Sequence, residues 1–96
     1  MSLGLSGCTG LTEIDASNIS SLKSVNLATC SNIQMVNLSN TSVDTLLLIA
    51  CTSVTAIDIT GISNTNNAIE VDITGTTIDE GIFTKSDGFV VNLVTR

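Results

Sequence analysis

The chain repeats itself every 10 or 11 residues, and no other feature limits its folding so strongly. Leu11-Thr-Glu-Ile14-Asp-Ala16-Ser-Asn-Ile19 is followed by Leu22-Lys-Ser-Val25-Asn-Leu27-Ala-Thr-Cys30, then by Ile33-Gln-Met-Val36-Asn-Leu38-Ser-Asn-Thr41. Val43-Asp-Thr-Leu46-Leu-Leu48-Ile-Ala-Cys51 and Val54-Thr-Ala-Ile57-Asp-Ile59-Thr-Gly-Ile62 continue the frame. The first residue of each alternating apolar pair falls at Leu3, Ile14, Val25, Val36, Leu46, Ile57, Val71, Ile82 and Val91, in steps of 11, 11, 11, 10, 11, 14, 11 and 9. The step of 14 coincides with the polar run Ser63-Asn-Thr-Asn-Asn67, which reads as an enlarged surface loop. The least regular unit is the one at Ile82, where the inward partner is expected at Thr84 and the corner at Asp87.

Within each unit the apolar residues alternate with polar ones, the period of a half-buried strand, and no stretch sustains helical periodicity. Ten or eleven residues are too few to encircle a core. Two units make a coil of 21 or 22 residues with a strand on each side, and the corner residues support that pairing: Cys8, Cys30 and Cys51 alternate with Ile19, Thr41 and Ile62. The expectation is therefore an all-β chain of about 4 to 5 coils with little or no helix, roughly 20 Å long at the spacing of hydrogen-bonded strands. One repeat domain covers residues 1–96, coils over 1–78 and an irregular C-terminal coil or cap over 79–96. The aliphatic composition suits a thin coil, since aromatic rings would force its walls apart. The only aromatics, Phe83 and Phe89, fall in the last segment, where they can cover an open end.

Leu22-x-x-Val25-x-Leu27-x-x-Cys30 and Val43-x-x-Leu46-x-Leu48-x-x-Cys51 match the leucine-rich-repeat signature, with Cys where Asn often stands. Over roughly residues 3 to 78 the chain resembles the short, helix-poor leucine-rich repeats of bacterial surface proteins, both internalin-type and Bacteroides-type. Sparse Leu and the lack of an Asn ladder depart from that pattern. The resemblance implies a right-handed parallel β-solenoid, located on a cell surface or secreted, from a bacterial or phage-encoded protein. It also implies a module that binds protein or glycan, or else a structural spacer.

Composition narrows the functions. The chain has no His, and its 9 acidic against 3 basic side chains give a net charge of −6. Without His, a basic residue beside a thiol, or a Gly-rich phosphate loop, nothing supports an enzyme, and no catalytic residue or cofactor is expected. Nucleic acid is not an expected partner, because Lys23, Lys85 and Arg96 are the only cations. The longest apolar run, Leu46 to Cys51, is far below the roughly 20 residues of a membrane span, so membrane insertion is not expected either. No signal peptide is expected from the start as it reads; Met1-Ser2-Leu3 looks like an expression-vector leader, and the chain is taken as part of a longer protein.

The cysteines are expected as free thiols at buried corners, each donating to a nearby carbonyl, with Cys8 the one most exposed to fraying. Their spacing matches no zinc pattern, so no metal site is expected. Two outer faces are candidate surfaces. On one, Asp15, Asn37 and Asp58 are each followed two residues on by Ser17, Ser39 or Thr60. Such a ladder could hold Ca²⁺ or a glycan, and equally describes a solvated strand face. On the other, Asn26, Ala28, Leu47, Ile49, Asp72 and Thr74 point outward, which places Leu47 and Ile49 toward solvent with Ala28 and Thr74 beside them. An apolar pair there marks contact with another surface or an ordinary exposed hydrophobe. Self-association is expected through the first coil, whose Leu3, Leu5 and Leu11 have no covering coil.

Overall fold

Each alternating segment forms a short strand, and every strand pairs in parallel with the one two units away. The structure, a computed structural model, describes residues 1–96. One sheet contains β1 (Ser2–Gly4), β3 (Ser24–Asn26), β5 (Thr45–Leu47), β7 (Ala68–Asp72) and β9 (Val90–Val94), in that order. The opposite sheet contains β2 (Glu13–Asp15), β4 (Met35–Asn37), β6 (Ala56–Asp58) and β8 (Phe83–Thr84). The chain is thus a β-solenoid of about four turns. Its only helical element is a 3₁₀ turn at Glu80–Ile82, started by Asp79, whose carboxylate accepts from the Gly81 N–H at 2.8 Å. No helix is long and apolar enough to cross a membrane.

Parallel register places like on like. Leu3, Val25, Leu46, Val71 and Leu93 stack along one wall, and Ile14, Val36, Ile57 and Phe83 along the other. Leu27, Leu48, Leu38 and Ile59, two residues further along their strands, are fully buried. Burying an aliphatic side chain contributes about 1.5–3 kcal/mol, so these ladders are the main source of stability. Backbone bonds run between coils beyond the strands as well, as from Thr29 N–H to Ile49 C=O at 2.7 Å. No buried side-chain nitrogen or oxygen lacks a partner.

The frame expected for the last units slips. Phe83, not Ile82, stacks on Ile57, so Thr84 faces outward beside Asp58. Leu93 pairs with Val71, while Val91 pairs with Ile69, and the corner expected at Asp87 is taken by buried Phe89. The cause is local. The polar run at 63–67 lengthens β7 to five residues, adding Ile69 as an extra inward position, and the 3₁₀ turn takes up one more residue before β8.

Corners have a rule of their own. The residue before each corner is left-handed: Gly7, Asn18, Thr29, Asn40, Ala50, Gly61, Gly75 and Gly88 have φ of 58° to 84°. Gly and Asn tolerate this conformation, whereas Thr29 and Ala50 are strained there. Behind them the buried thiols cross between coils, Cys30 Sγ to the Leu5 carbonyl at 3.0 Å and Cys51 Sγ to the Leu27 carbonyl at 2.8 Å. All three cysteines are free, but Cys8 is exposed rather than buried, because no coil precedes it.

Replacing Ala50 with Gly should relieve the left-handed strain and raise stability by about 0.5–1 kcal/mol after the entropy cost of Gly, a rise in Tm of several degrees. Gly61→Ala should do the opposite, since its new Cβ would run into the Asn40 side-chain oxygen; thermal melts that move the same way for both would contradict the corner rule. A thiol reagent should modify Cys8 at once, and Cys30 and Cys51 only after denaturation. Burial pushes the Cys51 thiol pKa upward, which slows it further.

Candidate functional site

The two outer sheet faces are built from the strand positions that the core leaves free. At the end of most strands stands Asp or Asn, and its side chain bends forward to the backbone two residues on. Asp15 Oδ1 accepts from the Ser17 N–H at 3.0 Å and from its hydroxyl at 2.6 Å; Asn37 Oδ1 accepts from the corresponding groups of Ser39 at 3.0 and 2.8 Å. Asp58 takes the Thr60 N–H at 2.9 Å, and Asn26 the Ala28 N–H at 3.0 Å. The Asp/Asn-x-Ser/Thr ladder is therefore first a set of turn caps that carry each strand into its left-handed corner. One oxygen of each such side chain is committed to the fold. Together these hydrogen bonds hold the Asp15 carboxyl below the usual carboxylate range, the Ser17 hydroxyl contributing most. No group of three or more His, Cys, Asp or Glu converges as a metal site.

On the five-stranded sheet the expected residues come together. Ala28, Ile49 and Thr74 form one row across three coils, as the bonds from Thr29 N–H to Ile49 C=O and from Ala50 N–H to Thr74 C=O require. Leu47 lies in the neighbouring row, between Asn26 and Asp72. The register is as the repeat demands: Leu46 and Leu48 are fully buried, while Leu47 and Ile49 face outward. Neither is fully exposed, however; both are half-buried among their row neighbours. A shallow groove runs from Leu47 across Asn26 and Ser24 toward Gly4, whose missing side chain opens it.

Asp72 corrects the expectation of an outward, solvated residue. It is 3% exposed, although its backbone is in the outward register. Leu47 and Val94 flank it, and Arg96 folds back over it, with its guanidinium paired to Glu70 and its Nε 3.8 Å from Asp72 Oδ2. Thr74 completes the cap, donating its N–H at 3.0 Å and its hydroxyl at 2.6 Å to Asp72 Oδ1. These bonds, and then Arg96, hold the Asp72 carboxyl below the usual range against the opposing effect of burial. The cover depends on Arg96 following a strand in register with β7, which the repeat spacing misplaces by two residues.

On the four-stranded sheet Asp15, Asn37 and Asp58 form one row, with Ser17, Ser39 and Thr60 beside them. The next row holds Glu13, Met35 and Ala56, and Met35 is 53% exposed there. Sequence alternation places Met35 outward, but its exposure comes from the small Ala56 on the following coil, a neighbour only register defines. Comparisons of the chain with protein-family models, curated proteins and solved structures found no match.

A carboxylate with a lowered folded-state pKa contributes stability that is complete above its unfolded value near pH 4 and is lost as pH falls through the folded value. Asp72→Asn should keep the turn cap, as Asn26 does two coils away in the same row, while removing this titration. Melts from pH 7 to pH 2 should therefore show a shallower acid loss in the variant; identical pH curves would mean that the folded state does not favour the Asp72 anion.

Proposed function

We propose that the chain is a non-catalytic interaction module, a short leucine-rich-repeat-like solenoid of a bacterial or phage-encoded surface or secreted protein. It binds a protein or glycan through the face bearing Ala28, Leu47, Ile49 and Thr74. The observation that supports this reading is internal to the repeat. Among the interior strands β3 to β7, the last residue is Asn26, Asn37, Leu47, Asp58 or Asp72, so β5 alone gives up its polar turn cap for an apolar side chain. A lost cap of this kind costs on the order of 1 kcal/mol, and the fold gains little in return from a half-buried Leu. Binding through Leu47 and Ile49 supplies the compensation. Surface location rests on the resemblance to bacterial repeats.

The first coil offers a second contact. Leu3, Leu5, Leu11, Ile14 and Ile19 pack against the core yet stay partly exposed, and they support self-association through that end. A structural spacer is the competing reading, favoured by the absence of Trp and Tyr, the residues that most often anchor interfaces.

Leu47→Asp should leave the thermal midpoint within a few degrees while weakening association with a partner or with a second copy in sedimentation or pull-down. Leu48→Asp, by contrast, should unfold the chain, since an unpaired charge in that core costs several kcal/mol. Equal damage from both would make Leu47 a core residue and leave the spacer as the better account.

A further inference from the structure

The four-stranded sheet carries a surface that the proposed function does not use. Its row of Glu13, Met35 and Ala56 runs across three coils, and Met35 is among the most exposed large apolar side chains of the molecule. Ala56 is too small to cover it. The result is a shallow hollow with Met35 and Ala56 as its apolar floor and Glu13, Asp15 and Asp58 at its rim. Asp15 and Asp58 stand two strand spacings apart, about 10 Å. Their Oδ1 atoms are occupied by the turn caps, and neither Oδ2 accepts a hydrogen bond or an ion pair within the chain. Both ion pairs of the molecule use Arg96 on the other sheet, so Glu13, Asp15 and Asp58 form none within the chain, and Lys85, which follows the strand neighbour of Asp58, forms none either.

We propose that this hollow docks an extended basic segment of a partner protein, with an apolar side chain resting on Met35 and Ala56 and flanking Lys or Arg heads meeting Glu13, Asp15 and Asp58. Charge complementarity selects the partner. Every charged residue that lines the hollow is acidic, with neutral Asn37 between Asp15 and Asp58, and the chain carries a net charge of −6, which repels nucleic acid and anionic lipid. The apolar floor in turn selects a segment in which an apolar residue stands two positions from each of two basic ones over one that is simply cationic, because side chains two residues apart share a face. In such a basic-x-apolar-x-basic segment the two basic residues lie about 13 Å apart along the backbone, and their long flexible side chains can close to the roughly 10 Å between Asp15 and Asp58.

The test is a titration of the isotope-labelled 96-residue chain with the blocked peptide Gly-Arg-Ser-Leu-Ser-Arg-Gly, whose Arg and Leu side chains share one face when extended, followed by amide and methionine-methyl NMR shifts. Its Glu-for-Arg and Gly-for-Leu counterparts serve as controls. Saturating shifts should gather at Glu13, Asp15, Met35, Ala56 and Asp58. The Glu peptide should produce none, and the Gly peptide should bind several-fold more weakly. Asp15→Asn combined with Asp58→Asn removes two charges but keeps the turn caps, as Asn37 does in the same row, and should weaken binding roughly tenfold while lowering the melting point by no more than a few degrees. Met35→Ser should weaken it with every charge retained. The proposal is overturned by absence of binding at millimolar peptide, by shifts spread equally over Asp44, Asp79 and Asp87, or by affinities that the variants leave unchanged. Shifts gathered at Leu47 and Ile49 would overturn it while favouring the other face as the binding surface.

Discussion

Parallel hydrogen bonding between coils, at the spacing of one strand, is the interaction on which everything else in this molecule depends. It sets each residue directly over its counterpart one coil away, as Val25 over Leu3 and Leu46 over Val25. A short aliphatic repeat then becomes a set of continuous apolar ladders. No strand of three residues could hold such a core alone, and no coil could either. Stability comes from neighbour on neighbour, which is why the first coil, with a neighbour on one side only, keeps Leu3, Leu5 and Ile14 partly exposed while their counterparts in the interior are buried.

Turning the chain twice per coil imposes a second condition, met by two devices at most corners. A left-handed residue makes the bend, and an Asp or Asn three residues before it caps the strand end, as Asp15 precedes Asn18 and Asp58 precedes Gly61. Behind the bends that follow β1, β3, β5 and β7 sits a small residue, Cys8, Cys30, Cys51 or Thr76, whereas Ile19, Thr41, Ile62 and Phe89 fill the corners on the other side. Cys30 and Cys51 serve there because a thiol is compact, tolerates burial and still donates to a carbonyl of the preceding coil. The polar pattern of the outer faces is thus largely architectural. Function has to be sought where that architecture is interrupted or left unbalanced.

Two places answer that description. At Leu47 the cap is missing and an apolar pair replaces it; at Met35 an exposed apolar side chain stands inside a rim of unpaired carboxylates. The faces lie on opposite walls of a body measuring 30 × 23 × 20 Å, so contact with one leaves the other open.

The sequence by itself determined the class of fold, the pairing of half-coils and the inward or outward sense of every strand from β1 to β7. A period of two leaves only one choice of buried face, and a period of 21 or 22 leaves only one partner for each strand. The same patterning identified Leu47 and Ile49 as outward and the cysteines as corner residues. The corner rule was partly legible too, in Gly7, Asn18, Asn40 and Gly61, but Thr29 and Ala50 concealed it because neither residue type announces a left-handed bend. Tertiary structure alone decided the rest. Past residue 78 the 3₁₀ turn and the longer β7 shifted the frame, so that Phe83 and Leu93 took the half-buried ladder positions over Ile57 and Val71 and Arg96 came to cover Asp72. The exposure of Met35 likewise depends on Ala56, its neighbour in space and 21 residues away in the chain. The physical reason is common to these cases: alternation fixes which way a side chain points, whereas what lies beside it is set by register between coils, and register responds to every inserted residue.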